Sequence, residues 1–149
     1  MDEFKEAFRL KQANRDSQDI DLKGRRVLLA EDMVVNAEIM VMVLGMRELD
    51  VEVAENGKIA VDMFMSHPEG YYDVILMDVR MPEMDGLEAT RVIRSSGRSD
   101  AASIPIIALT ANAFDEDVQR SMQAGLNAHL SKPVEPESLF ETIANLIRK

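Results

Sequence analysis

Four short apolar runs, each closing on a polar or charged side chain, limit what this chain can fold into more than any other feature. Val27-Leu28-Leu29-Ala30 runs into Glu31-Asp32, and Val74-Ile75-Leu76-Met77 runs into Asp78. Ile106-Ile107-Ala108-Leu109 runs into Thr110, and Ala128-His129-Leu130 runs into Ser131-Lys132-Pro133. Unbroken apolar runs of this length suit strands covered on both faces, as in a parallel sheet. Open parallel sheets bind ligands outside the carboxyl ends of their strands. The pattern therefore gathers three carboxylates, one hydroxyl and one ammonium at one rim.

Between the runs the pattern is helical. A first strand over about 26–31 leads to a helix carrying Ile39, Met40, Val43 and Leu44. Val51-Glu52-Val53-Ala54 alternates as an edge strand does, and Asn56-Gly57 opens a helix with Ile59, Ala60, Met63 and Phe64. The strand at 74–78 precedes a loop containing Pro82 and a helix from Gly86 to about Arg94. Residues 97–103 read as a polar loop before a strand at 105–110. Asp115 is placed to cap the next helix and Gly125 to end it. A fifth strand at about 128–131 leads to a last helix, with Pro136 in its first turn and its end near Arg148. Such strand-helix alternation specifies an α/β fold, a doubly wound parallel sheet with helices on both faces. Residues 1–24 stand apart as a linker with a short helix, in which Phe4, Ala7, Phe8 and Lys11 share a helical face. Residues 25–149 form the sheet domain.

The totals exclude other classes. A length of 149 residues fits one domain with a small appendage. The chain has no cysteine, so it has neither a disulfide framework nor a thiolate metal site, which fits a cytoplasmic setting. No apolar stretch reaches the length of a membrane span, and Met1-Asp2-Glu3-Phe4-Lys5 lacks a signal-peptide pattern. Direct membrane contact by this segment is therefore not expected. The net charge of −10 argues against nucleic acid as a partner and leaves a basic protein surface open.

The rim has chemistry of its own. Carboxylates about 5 Å apart repel by roughly 3 kcal/mol per pair at an effective dielectric near 20. Lys132 supplies one opposing charge, and a divalent cation with oxygen ligands supplies two more. Mg²⁺ takes one or two carboxylates together with waters and a phosphate, which favours phosphoryl chemistry over proton transfer. An aspartate can itself accept a phosphoryl group as an acyl phosphate. Asp78 as nucleophile, Lys132 and Thr110 on two of the transferred oxygens and a cation on the third would satisfy that demand.

These residues carry a resemblance. Leu29-Ala30-Glu31-Asp32, the stretch from Ile75 through Asp78-Val79-Arg80-Met81-Pro82 to Gly86, Ala108-Leu109-Thr110-Ala111-Asn112-Ala113 and Ser131-Lys132-Pro133 are similar to the receiver domain of two-component response regulators. The likeness covers about residues 25–149. Val35-Asn36, Asp21-Leu22-Lys23-Gly24-Arg25-Arg26 and the stretch from Ala124 to Pro133 resemble receivers of hybrid sensor histidine kinases in particular. The resemblance implies a flavodoxin-like five-stranded sheet of order 2-1-3-4-5, with Asp78 as phosphoacceptor. It implies a Mg²⁺ (or Mn²⁺) site made by Asp32, Asp78 and the Arg80 backbone carbonyl, with Glu31 acting through water. It implies that Thr110 reorients on phosphorylation, that His129 holds the switch-aromatic position, and that Ala111 and Asn112 are switch or partner positions. It also implies a cis Lys132–Pro133 bond, and Arg80 and Asn112 as residues that tune acyl-phosphate hydrolysis.

The implied partner is a histidine kinase or a histidine phosphotransfer protein, in a phosphorelay. Such a domain promotes its own phosphorylation and dephosphorylation, and a parent hybrid protein would be a kinase. Two positions depart from the pattern. Met33 stands where asparagine is common, which should disturb hydrogen bonds in the loop, and His129 replaces tyrosine or phenylalanine.

Other readings compete. Glu31-Asp32 can also cap the helix beginning near Val34. His67, beside Pro68, reads as an exposed loop residue, and His129 as an outward-facing residue of an edge strand. A metal-dependent phosphohydrolase would also use an aspartate nucleophile, but it carries a second acid two residues on, where this chain has Arg80. A stand-alone regulator and a receiver used only for docking stay open, as does a homodimer formed through the N-terminal helix. Flavin or nucleotide binding lacks the glycine-rich loop it needs after the first strand.

Overall fold

The computed structural model describes residues 22–111 and 124–147. Five parallel strands form one sheet in the order β2-β1-β3-β4-β5. They are β1 (Arg26–Ala30), β2 (Asp50–Ala54), β3 (Val74–Asp78), β4 (Ile106–Thr110) and β5 (Ala128–Ser131). The described helices are α1 (Val34–Gly45), α2 (Gly57–Ser66), α3 (Gly86–Arg94) and α4 (Pro136–Ile147). Residues 97–103, expected as loop, contain one 3-10 turn, Asp100–Ala102, because Ala101 is fully buried. The expected N-terminal helix and the helix started by Asp115 lie outside the described residues, as does Asn112.

Strand pleating decides which side chain goes where, because successive residues point to opposite faces. Leu28, Ala30, Ile75, Met77, Ile106 and Ala108 pack on one face with Ala60 and Phe64 of α2 and Leu87 and Ile93 of α3. Val27, Leu29, Val74, Leu76, Ile107 and Leu109 pack on the other with Met40 and Leu44 of α1 and Leu139 and Ile143 of α4. Every residue of β3 and β4 is buried. The edge strand β2 is half-open instead, as its alternation requires.

The helices start where local hydrogen bonds allow. Asn56 Oδ1 accepts from Ile59 N at 2.8 Å, and Asp85 Oδ1 accepts from Glu88 N at 2.8 Å. Met33, at the N-cap of α1, offers no capping side chain. Its backbone N–H instead donates to Glu31 Oε1 at 3.3 Å.

One glycine sets the distance between α3 and the end of β3. Gly86 N donates to Val79 O at 2.9 Å, and a Cβ at position 86 would collide with the backbone carbonyl of Asp78. Gly45, at the end of α1, faces open space. Gly86→Ala should therefore cost about 1–3 kcal/mol through overpacking. Gly45→Ala should be neutral or stabilise by up to about 1 kcal/mol. Urea unfolding of the two variants checks the opposite signs.

Candidate functional site

Register brings the polar ends together. Ala30 pairs with Met77, so Glu31 and Asp78 leave neighbouring strands side by side. Asp78 pairs with Leu109, Thr110 pairs with Ser131, and Lys132 N donates to Thr110 O at 2.7 Å. Donor oxygens of Glu31, Asp32 and Asp78 all lie within 4.8 Å of one another. Lys132 reaches in from the end of β5. Its Nζ donates to Asp78 Oδ2 at 2.8 Å and to Glu31 Oε2 at 3.1 Å. The Lys132–Pro133 peptide is cis.

Burial makes this cluster costly. Glu31 is 2% exposed, Thr110 3% and Asp78 6%, while Asp32 is the most solvent-open of the acids. Burial pushes the Asp78 carboxyl up from 3.8 to about 6; Lys132 opposes the shift, and the Glu31 charge adds to it. Burial works to lower the Lys132 ammonium, but hydrogen bonds and charge from Asp78 and Glu31 outweigh it, so its value rises. One ammonium among three carboxylates leaves two negative charges over when all are ionised.

That donor set fits a hard divalent cation. Three carboxylates within mutual reach, with backbone carbonyl and water as further ligands, suit Mg²⁺ and Mn²⁺ alike. A second observation points to an absent oxygen-rich group. The Thr110 hydroxyl is buried at the same rim and has no hydrogen-bond partner among the described residues. A buried hydroxyl left unpaired costs about 1–3 kcal/mol, so this one is poised to donate to something that arrives.

The other expected residues fall as follows. Arg80 N donates to Asp78 Oδ1 at 3.3 Å, which places its backbone beside the acid. Ala111 is exposed directly beyond Thr110. His129 lies on the edge strand opposite Ala108 and is half-buried rather than fully outward, with its Nδ1 shielded and unpartnered among the described residues. His67 is not a free loop residue. Its ring stacks on Tyr71 at 3.7 Å and lies 3.9 Å from Glu52. Asn36 carries part of the likeness to hybrid-kinase receivers, and its Nδ2 donates to Glu31 Oε1 at 3.4 Å. The signal for that contact is its place in the first turn of the helix that follows Glu31.

The family model of the response regulator receiver domain matches residues 27–144. The chain is 37% identical over 127 residues to hybrid signal transduction histidine kinase I of Dictyostelium discoideum, covering 84% of this chain but 7% of that protein. The chain thus spans a small part of the length of the curated relatives it matches. Its fold is similar to the receiver domain of a Pseudomonas aeruginosa sensor histidine kinase solved with magnesium coordinated in the active site cleft. That match has a TM-score of 0.76 and 36% identity, covering 85% of this chain and 99% of the other. It is also similar to the receiver domain of Saccharomyces cerevisiae Ssk1 in complex with the histidine phosphotransfer protein Ypd1. There the TM-score is 0.73 and the identity 31%, covering 84% and 90% of the two chains.

The raised Asp78 value has a measurable consequence. Its folded value lies above its unfolded one, so the ionised carboxylate destabilises the fold as pH rises from about 4 to 6. Metal-free Asp78→Asn should therefore be more stable than the parent at pH 8 by about 1–3 kcal/mol. The advantage should fade as pH falls through 6 towards 4. Denaturant unfolding across that range checks both size and sign.

Proposed function

We propose that this chain, which belongs to the response regulator receiver domain family, accepts a phosphoryl group on Asp78 from a phosphohistidine donor in a Mg²⁺-dependent phosphorelay. The observation that carries the reading is the Lys132 ammonium held between Asp78 and Glu31, beside a buried Thr110 hydroxyl with no partner among the described residues. Those groups offer one nucleophile and two donors for the oxygens of a transferring group.

In the transfer, an Asp78 carboxylate oxygen bonds to phosphorus as the phosphorus–nitrogen bond of the donor breaks. The imidazole keeps the electron pair of that bond. Charge on the transferring group spreads over three equatorial oxygens, so catalysis is chiefly positioning and neutralisation. Lys132 can move from Asp78 Oδ2 to a phosphoryl oxygen while Glu31 keeps hold of it. The Thr110 hydroxyl donates to a second oxygen and gains the partner it lacks. Asp32 and Asp78, with the Arg80 carbonyl, would hold Mg²⁺, and Mn²⁺ would serve the same donor set. The bound cation supplies positive charge at the transferring oxygens. Glu31 has one oxygen on Lys132 and the other on Met33 N and Asn36, so its part in metal binding is indirect, through water.

The partner in this reading is a histidine kinase or a histidine phosphotransfer protein, and the parent is a hybrid sensor histidine kinase of the cytoplasmic signalling type. Likeness to the receiver bound by Ypd1 and to hybrid-kinase receivers supports it. No helix among the described residues is long and apolar enough to cross a membrane.

Incubation with acetyl phosphate and Mg²⁺, followed by mass spectrometry, tests the assignment. The parent should gain one phosphoryl group, and Asp78→Asn should gain none. Lys132→Ala should slow labelling by roughly a hundredfold, the scale of losing one donor to a developing charge. Chelating the metal should abolish labelling. Phosphate retained in Asp78→Asn would show that the nucleophile lies elsewhere.

A further inference from the structure

Helix α1 carries more apolar surface than the sheet can cover. Ala37, Met40 and Leu44 face the core, yet Val34 is 69% exposed and both Met42 and Met46 are 72% exposed. A helix apolar on all sides is ordinarily covered on all sides. Exposed apolar patches of this kind mark contact surfaces. On the flank towards β2 an open groove of about 940 Å³ runs alongside, floored by Val41 and Met42 of α1 and Val53 of the edge strand. Its rim is acidic, with Glu38, Glu55 and Glu83 joining the site pair Glu31 and Asp32, and among the described residues no basic side chain lines it. An occupant should therefore be both apolar and basic.

The chain supplies such a segment. Residues 4–15 place Phe4, Ala7 and Phe8 on one helical spacing. They carry Lys5, Arg9, Lys11 and Arg15 against Glu6 alone, four positive charges less one negative, or +3. The whole chain is −10, so the remainder is −13. The tether is in the right place. Leu22 is fully buried in the cluster that holds Leu44 and Leu49, and Gly24 N donates to Glu48 O at 2.9 Å. The chain thus enters the sheet beside the carboxyl end of α1. A helix of 12 residues, like α1, is about 18 Å long. The six residues 16–21 can span up to about 20 Å, so the segment can be laid along the groove. Tethering on a short linker also gives it an effective concentration in the ~mM range.

We propose that residues 4–15 of this chain dock in the groove between α1 and β2, with Phe4 and Phe8 against Val41, Met42 and Val53. The basic side chains lie along the acidic rim.

The absence of cysteine makes the test direct. A nitroxide is attached at Glu6→Cys, on the side of the helical spacing away from Phe4 and Phe8. Amide signals of Val41, Met42 and Val53 should then be selectively broadened. The broadening should be lost when Phe4→Asp and Phe8→Asp are added. It should also be lost in Met42→Glu, whose site is solvent-exposed so that the fold is kept. Mixing spin-labelled chain with isotope-labelled, label-free chain should give no broadening. Unbroadened α1 and β2 signals in the single chain would overturn the proposal. Broadening in the mixture would assign the groove to a second copy and overturn it equally.

Discussion

The Lys132 ammonium, held at 2.8 Å from Asp78 and 3.1 Å from Glu31, is the interaction on which the rest of this site depends. Without it three carboxylates would meet at one rim beside the neutral hydrogen-bond donors Met33 N, Asn36 Nδ2 and Arg80 N. At separations near 5 Å and an effective dielectric near 20, each pair costs on the order of 3 kcal/mol. Lys132 removes part of that cost but not all, and burial, with the Glu31 charge adding to it, still leaves the Asp78 carboxyl pushed up to about 6. With all three acids ionised two negative charges remain at the rim, which suits it to a divalent cation.

The fold exists to hold that rim in place. Strands β1, β3 and β4 are buried on both faces, so their register is set by two hydrophobic layers at once, and a slip of one residue would invert both. Register in turn sets which functional groups become neighbours. Gly86 keeps α3 tight against the Asp78 backbone, where any side chain would force the two apart. Arg94, at the far end of α3, donates to Gly125 O at 3.0 and 2.9 Å and to Asn127 Oδ1 at 2.8 Å. It thereby fastens the entry to β5, the strand that delivers Lys132.

Much of this was readable in the chain because burial leaves a plain signature. An apolar run ending in an acid, a hydroxyl or a lysine announces a covered strand and a polar tip, and four such runs bring five side chains to one rim. Residues whose placement depends on distant partners were not readable. His67 looked like an exposed loop residue because its stacking on Tyr71 and its approach to Glu52 need β2 and the entry to β3 to be brought together across β1. Asn36 showed only its place in the first turn after Glu31, not the contact itself. Ile39 could not be told from the buried Met40 and Leu44 of the same stretch, since an apolar helical run reads the same whether the sheet or something else covers it; Ile39 is 53% exposed. The change of Asp78 from an ordinary acid to a raised one is a property of burial, which spacing alone does not express.

Calorimetric titration with Mg²⁺ at neutral pH tests most directly whether the acid cluster demands a dication. The account predicts uptake of one Mg²⁺ per chain, lost in Asp32→Asn, the acid that makes no contact with Lys132 among the described residues. No uptake by the parent, or uptake unchanged in Asp32→Asn, would contradict it.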